Sequence, residues 1–280
     1  MQYRIPIAAI TLAVVLGVTM GNVRAFDEAK YPNWKGQWLR GDPGPSRYDP
    51  SKPSGRGQQA PLKPEFQAVL EASLAEQAKG GQGNDPTYTC LSPGLPRVMA
   101  NYEGAEIVIT PKTIHILMEH IHDSRRIYTD GRAWPKYIEP SFNGYSIGKW
   151  IDEGGTGRYN LLEVESRGFK GPRAYDNSGL PLHPDNESII KERIFQDKAA
   201  PNFLHVEITT IDNALTRPWS IKKTYRREPK VVWPENNCTE GNNDVVIGSE
   251  SYLLSADGYL MPVKKDQPPP DLRYFNQTRR

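Results

Sequence analysis

Between residues 105 and 226 the chain alternates short runs of β-branched and aromatic residues with turn signals, and this alternation restricts the fold more than any other feature. The runs fall at 105–110 (AEIVIT), 113–121 (TIHILMEHI), 125–130 (RRIYTD), 145–151 (YSIGKWI), 159–166 (YNLLEVES), 188–196 (SIIKERIFQ), 203–211 (FLHVEITTI) and 219–226 (WSIKKTYR). Most connections between them are too short for a helix, so sequential strands must pair with one another. An open meander of this length would leave two unpaired edges, and closing the sheet on itself removes them. The expected fold is all-β, an antiparallel up-and-down barrel of about eight strands.

The flanks differ in composition. Residues 26–92 are rich in Pro, Gly and Ser and form an N-terminal arm with one helical passage at 63–79. There Pro64 stands at the start, Phe66, Val69, Leu70 and Leu74 recur at helical spacing, and Gly80 and Gly81 stop the helix. The barrel domain is assigned to 93–250. Residues 251–280, ending DQPPPDLRYFNQTRR, read as an extended tail that Leu272, Tyr274 and Phe275 pin to the barrel.

Residues 1–25 carry Arg4, an apolar stretch from Ile5 to Met20 and a small-x-small close at Val23-Arg24-Ala25, the pattern of a secretory signal peptide. Its removal takes away Arg4 and Arg24 and no acid, leaving 33 of 35 basic residues against 33 acidic ones. No basic field remains to attract nucleic acid or an anionic membrane. A periplasmic or secreted protein without stable membrane insertion is expected. In such a compartment the two cysteines, Cys90 and Cys238, read as a disulfide. Closing a loop of that length stabilises the fold by roughly 4–5 kcal/mol in the chain-entropy model.

The stretch MEHIHDSRRIYTDGR, residues 118–132, concentrates titratable groups in one hairpin. A two-residue turn at His122-Asp123 or at Asp123-Ser124 gives the same sorting of side chains. One face carries Ile114, Ile116, Met118 and His120 with Arg125, Ile127 and Thr129; the other carries His115, Leu117 and Glu119 with Arg126, Tyr128 and Asp130. Facing outward, the polar side is a solvated surface with Glu119 and Arg126 paired for a few tenths of a kcal/mol, and facing inward it is a candidate acid/base or polar-ligand site.

Six stretches resemble a large set of exported bacterial proteins of unknown function: CLSPGLPRVM (90–99), RRIYTDGR (125–132), GYSIGKW (144–150), LLEVESRGF (161–169), KERI (191–194) and ITTIDNALTRPWS (208–220). That family reads C-L-P-x-G-x-P-R, R-R-I-x-T-D-G-R, G-H-S-I-G-x-W, L-V-V-D-T-x-G-F and E-R at the corresponding places. The resemblance implies roles for Arg126, Asp130, Arg132, Ser146, Trp150, Glu165 and Glu192, and it favours the inward placement of the hairpin's polar face. Tyr145 stands where the family usually has histidine, which removes an acid/base group from that position. Gly36-Gln37-Trp38 is similar to the G-x-W of the first strand of calycin (lipocalin-like) barrels, where the tryptophan plugs one end.

Two patterns suggest metals without completing a site. Residues 152–163 follow a calcium loop at the first, sixth, ninth and twelfth places, but Gly154 and Thr156 occupy two ligand positions. His120 and His122 have a chelating spacing but no third ligand nearby. No metal and no cofactor is expected. Phosphate-loop and HExxH motifs are absent from the sequence.

The reading that follows is an exported, disulfide-closed barrel that binds a small organic molecule in or at its mouth, with Glu119, Tyr128, Tyr145, Ser146 and Trp150 as ligand contacts. The alternative is a cofactor-independent lyase, isomerase or hydrolase. There Glu165, Glu192 or Asp130 is the general base and Arg126 or Arg132 steadies an oxyanion. A third reading is a cell-envelope interaction protein with binding Pro-rich arms.

Overall fold

The computed structural model describes residues 26–41, 60–100, 104–118, 124–233, 238, 243–247, 250–255 and 257–270. Nine strands close into a barrel: β1 (Gln37–Arg40), β2 (Ala105–Ile109), β3 (Thr113–Met118), β4 (Ser124–Tyr128), β5 (Tyr145–Ile151), β6 (Leu161–Arg167), β7 (Ile189–Gln196), β8 (Phe203–Ile211) and β9 (Trp219–Arg227). The eight strands read from the sequence are β2 to β9. The ninth is the short strand that holds Gln37 and Trp38, which pairs with β2 on one side and β9 on the other.

The added strand changes the topology. A closed ring with an odd number of strands cannot alternate direction throughout, so one neighbouring pair must be parallel. That pair is β4 and β5, joined only at Ile127↔Ser146 and Tyr128↔Ile147, while the other neighbours are antiparallel. The purely up-and-down arrangement is therefore corrected at one seam. Residues 129–144 carry the chain back along the outside of the wall to make it, as a parallel pair requires. Inside the seam Gly148 keeps the strands close, since a Cβ there would lie 2.7 Å from Ile127 Cγ2.

Period two sorts each strand into an inward and an outward set. Ile107, Ile114, Ile116, Met118, Ile127, Leu162, Val164, Ile190, Ile194, Val206, Ile208 and Ile221 are buried in one continuous core. The β3–β4 register pairs Leu117 with Ser124 and His115 with Arg126, several residues from a two-residue turn at 122–124 but of the same parity, so the predicted faces survive. Their direction is the reverse of the placement favoured above. The four apolar side chains Ile114, Ile116, Met118 and Ile127 go inside, each gaining roughly 1.5–3 kcal/mol from burial. Arg126 and Asp130 consequently face solvent, and Arg125 is the arginine carried into the barrel.

The rim at which β4 and β5 begin is covered by α1 (Pro64–Gln77), by residues 90–99 and by the β6–β7 loop; Leu70, Leu95, Val98, Tyr175 and Leu180 all join the core from there. At the opposite rim Trp38 is buried, donates its indole N–H to Trp34 O at 2.9 Å and lies 4.3 Å beneath the Arg227 guanidinium. Arg227 also donates to Lys35 O and Asn33 O, fastening the incoming chain to the last barrel strand. Cys90 and Cys238 are disulfide-bonded, tying the segment between β1 and β2 to the chain beyond β9.

The barrel ends at Arg227 rather than near residue 250, and much of the region expected to be an extended tail is folded. β10 (Asp244–Ile247), β11 (Glu250–Leu254) and β12 (Leu260–Pro262) form a separate three-stranded sheet. It rests on the end of α1, where Lys264 Nζ pairs with Glu76 at 3.0 Å and Glu250 at 2.8 Å. Leu272, Tyr274 and Phe275 lie outside the described residues. Among those described, no helix is long and apolar enough to cross a membrane.

Candidate functional site

Most of the sequence stretches singled out above run along a strand, so alternate residues serve two different places. The inward residues of four of them meet in one buried cluster. Arg125 Nη1 donates to Glu192 Oε1 at 2.8 Å, and Nη2 donates to Glu192 Oε2 and to Ser166 Oγ at 3.1 Å and Ser146 Oγ at 3.3 Å. The two serine hydroxyls are 2.7 Å apart. The registers Ser146↔Ser166 and Val164↔Glu192 bring these groups level on adjacent strands. Both carboxylate oxygens of Glu192 are thus engaged by a guanidinium, and the side chains of the pair are 1% and 0% exposed. This is a buried structural pair: the Glu192 carboxylate is held bidentately by Arg125 and is not open to solvent.

The outward residues of the same stretches meet on the other side of the wall. Because β4 and β5 touch at only two residue pairs, Ser124–Arg126 run on without a β5 partner and a cavity of about 340 Å³ opens beside them. Its wall includes Arg126 and Tyr128 from β4, Phe142 and Tyr145 from the end of the crossover and the start of β5, Ser92 from the arm and Lys170 from the β6–β7 loop. The crossover is pinned by Ser141 N to Gly168 O at 3.1 Å and Lys170 N to Ser141 O at 3.0 Å. Gly144 makes the entry to β5 possible, with φ +64° and a virtual Cβ only 2.6 Å from the Phe169 ring.

Beside the cavity Arg132 lies over the Tyr128 ring at 3.8 Å and donates to Asp130 through Nε at 2.8 Å and Nη2 at 2.7 Å. The hydrogen bond from Arg132 holds the Asp130 carboxyl well below the usual range, at about 2. Arg132 Nη1 also donates to Tyr145 Oη at 3.2 Å, and the Tyr128 and Tyr145 rings are 4.9 Å apart. The array continues along the wall through Trp134, which contacts Tyr145 and lies beneath Arg167, to Glu165, which accepts from Arg167 Nε at 2.6 Å.

The expected site residues therefore separate into three groups. Arg126, Tyr128, Asp130, Arg132 and Tyr145 share the outer seam, with Glu165 further along the same wall. Ser146 and Glu192 are inside it. Trp150 is at the far end of β5, packed on Tyr31, Trp34 and Tyr159 with ring centroids 5.3, 5.1 and 5.9 Å away. No single reaction centre combines Glu192 with Arg126 or Arg132, because the barrel wall stands between them. Glu119, His120 and His122 lie outside the described residues.

In the 152–163 segment the Asp152 carboxylate accepts from the Gly157 amide at 2.6 Å, and Glu163 sits on β6 beside Arg193. Larger concavities occur elsewhere on the surface. The one of about 770 Å³ on the β5–β9 wall is lined by charges that answer one another, Arg193 with Glu207 and Glu163, and Lys191 with Glu165. Lys170, Phe142 and Ser92 were not anticipated, since loop residues carry no periodicity. Arg125 had a signal: it shares a face with Ile114, Ile116 and Ile127, as Glu192 does with Ile190 and Ile194.

No protein-family model matches the chain, and no curated protein is significantly similar to it.

Proposed function

We propose that this is an exported barrel protein, of the kind its motif and G-x-W resemblances suggest, that binds a small organic molecule in the cavity at the β4–β5 seam. The observation carrying this reading is convergence: hydroxyl, guanidinium, ammonium and aromatic groups from four separate segments line one recess. Its volume is at the lower end of that of small-molecule sites. The inward side chains pack as a core around the buried Arg125–Glu192 pair, which argues for ligand binding at the seam instead of within the barrel. Catalysis by the expected carboxylates has less support, because Asp130, Glu165 and Glu192 are each held by an arginine.

A small-fragment screen by NMR on the folded, disulfide-bonded protein tests the reading. Fragments should perturb the amides of Arg126, Phe142, Tyr145 and Lys170 together, and Tyr145→Ala should abolish that response. Hits confined to other surfaces would overturn it.

A further inference from the structure

Resting on that reading, we infer that the ligand of the seam cavity is an organic anion, a carboxylate or a phosphate monoester, whose charged group is held between Arg126 and Lys170. These are the charged residues of the cavity wall; no aspartate or glutamate lines it among the described residues. Both side chains are exposed, so neither charge is neutralised by burial. Among the described residues, the acids on the same wall are committed elsewhere: Asp130 accepts two side-chain bonds from Arg132, and Glu165 is paired with Arg167 and Lys191. Two cations lining a recess without an acid among its described residues favour an anionic ligand there.

The neutral donors agree in sign. Tyr145 Oη already accepts from Arg132, so its own O–H is the part of the group left to donate. Thr129 N donates to Lys112 O on the β3 side, and alternation along the strand then turns the amide of Arg126 toward the seam. Asn143 Nδ2 donates to Ser124 O at 3.5 Å, which takes up the carbonyl facing the same way. The recess therefore offers N–H and O–H groups around two cations, the pattern that recognises a multi-oxygen anion. Tyr128 and Phe142 supply apolar surface beside it for the organic part of such a ligand.

Benzoate, phenyl phosphate and benzamide separate the possibilities. Benzamide has the shape of benzoate without its charge. Titrated by NMR into the full mature chain, one or both anions should bind saturably at the seam at least tenfold more tightly than benzamide. The preferred anion distinguishes carboxylate from phosphate recognition. Arg126→Gln and Lys170→Gln should each weaken the anion at least fivefold while leaving benzamide unaffected, and added salt should weaken the anion alone. Thermal melts of both variants establish that they remain folded. Equal binding of benzamide and the anions at the seam would overturn the inference and leave the small-molecule reading standing. Binding of none of the three there overturns both.

Discussion

Adjacent arginines on β4 give the most direct test of the architecture, because the structure places Arg125 inside the barrel and Arg126 on its surface. Arg125→Ala removes the guanidinium that holds both Glu192 carboxylate oxygens, in a site where the pair is 1% and 0% exposed. The expected loss is about 3–5 kcal/mol, the usual consequence of removing one partner of a buried ion pair. Glu192→Gln should lose a similar amount by the opposite route, leaving the guanidinium unpaired. Arg126→Ala removes an exposed side chain and should change stability by roughly 0.5 kcal/mol or less. In a domain of this size a loss of 3–5 kcal/mol lowers Tm by about 6–20 °C. Replacing both partners, Arg125→Met with Glu192→Leu, should recover most of the loss, since an apolar pair has no charge to desolvate. Urea denaturation of the oxidised protein measures all four variants, with an unchanged slope reporting an unchanged unfolding transition. An Arg125→Ala loss within 1 kcal/mol of the Arg126→Ala value, or a double variant no more stable than Glu192→Gln, would refute the buried pairing.

The Asp130 carboxyl should titrate at about 2, below its ordinary 3.8, because of its hydrogen bond from Arg132. Whatever stability this pairing contributes is present above pH 4 and lost as pH falls through the folded value. Carboxyl-carbon NMR should show the low midpoint and its return toward 3.8 in Arg132→Ala; an ordinary midpoint in the unaltered protein would contradict the geometry. Gly144→Ala forces a side chain onto φ +64° and into the Phe169 ring and Arg167 O, at 2.6 and 2.7 Å. It should cost about 1–3 kcal/mol, more than Gly131→Ala, whose φ is +77° with open space around it. Equal melts for the two alanine variants would show that the contact at Gly144 is not close.

Much of the barrel was legible because its strands have one apolar face. Period two along 113–118 and 189–196 is a local property that sorts the side chains onto two faces. Which face of the 113–130 hairpin turns inward, and that Arg125 meets Glu192 there, was decided by the closed barrel, which buries the isoleucines. The short strand at Gln37–Arg40 was readable only through its Gly-Gln-Trp stretch, as four residues carry too little periodicity to stand out. The three-stranded sheet at 244–262 was missed for a similar reason: its strands are brief and mostly half-buried or exposed, and their partners are each other.

By itself the sequence determined the eight longer barrel strands, which of their side chains share a face, and the pairing of its two cysteines, because each follows from local alternation or from the lack of another partner. Tertiary structure decided the number of strands in the ring, and with it the parallel seam between β4 and β5. Closure is a property of the whole sheet, and adding one short strand changes the parity that every other strand must satisfy. The seam in turn created the recess in which Arg126, Tyr128 and Tyr145 meet Ser92 and Lys170. Residues that far apart in the chain are brought together only by the crossover and loops that the closed ring requires, and no local pattern encodes that meeting.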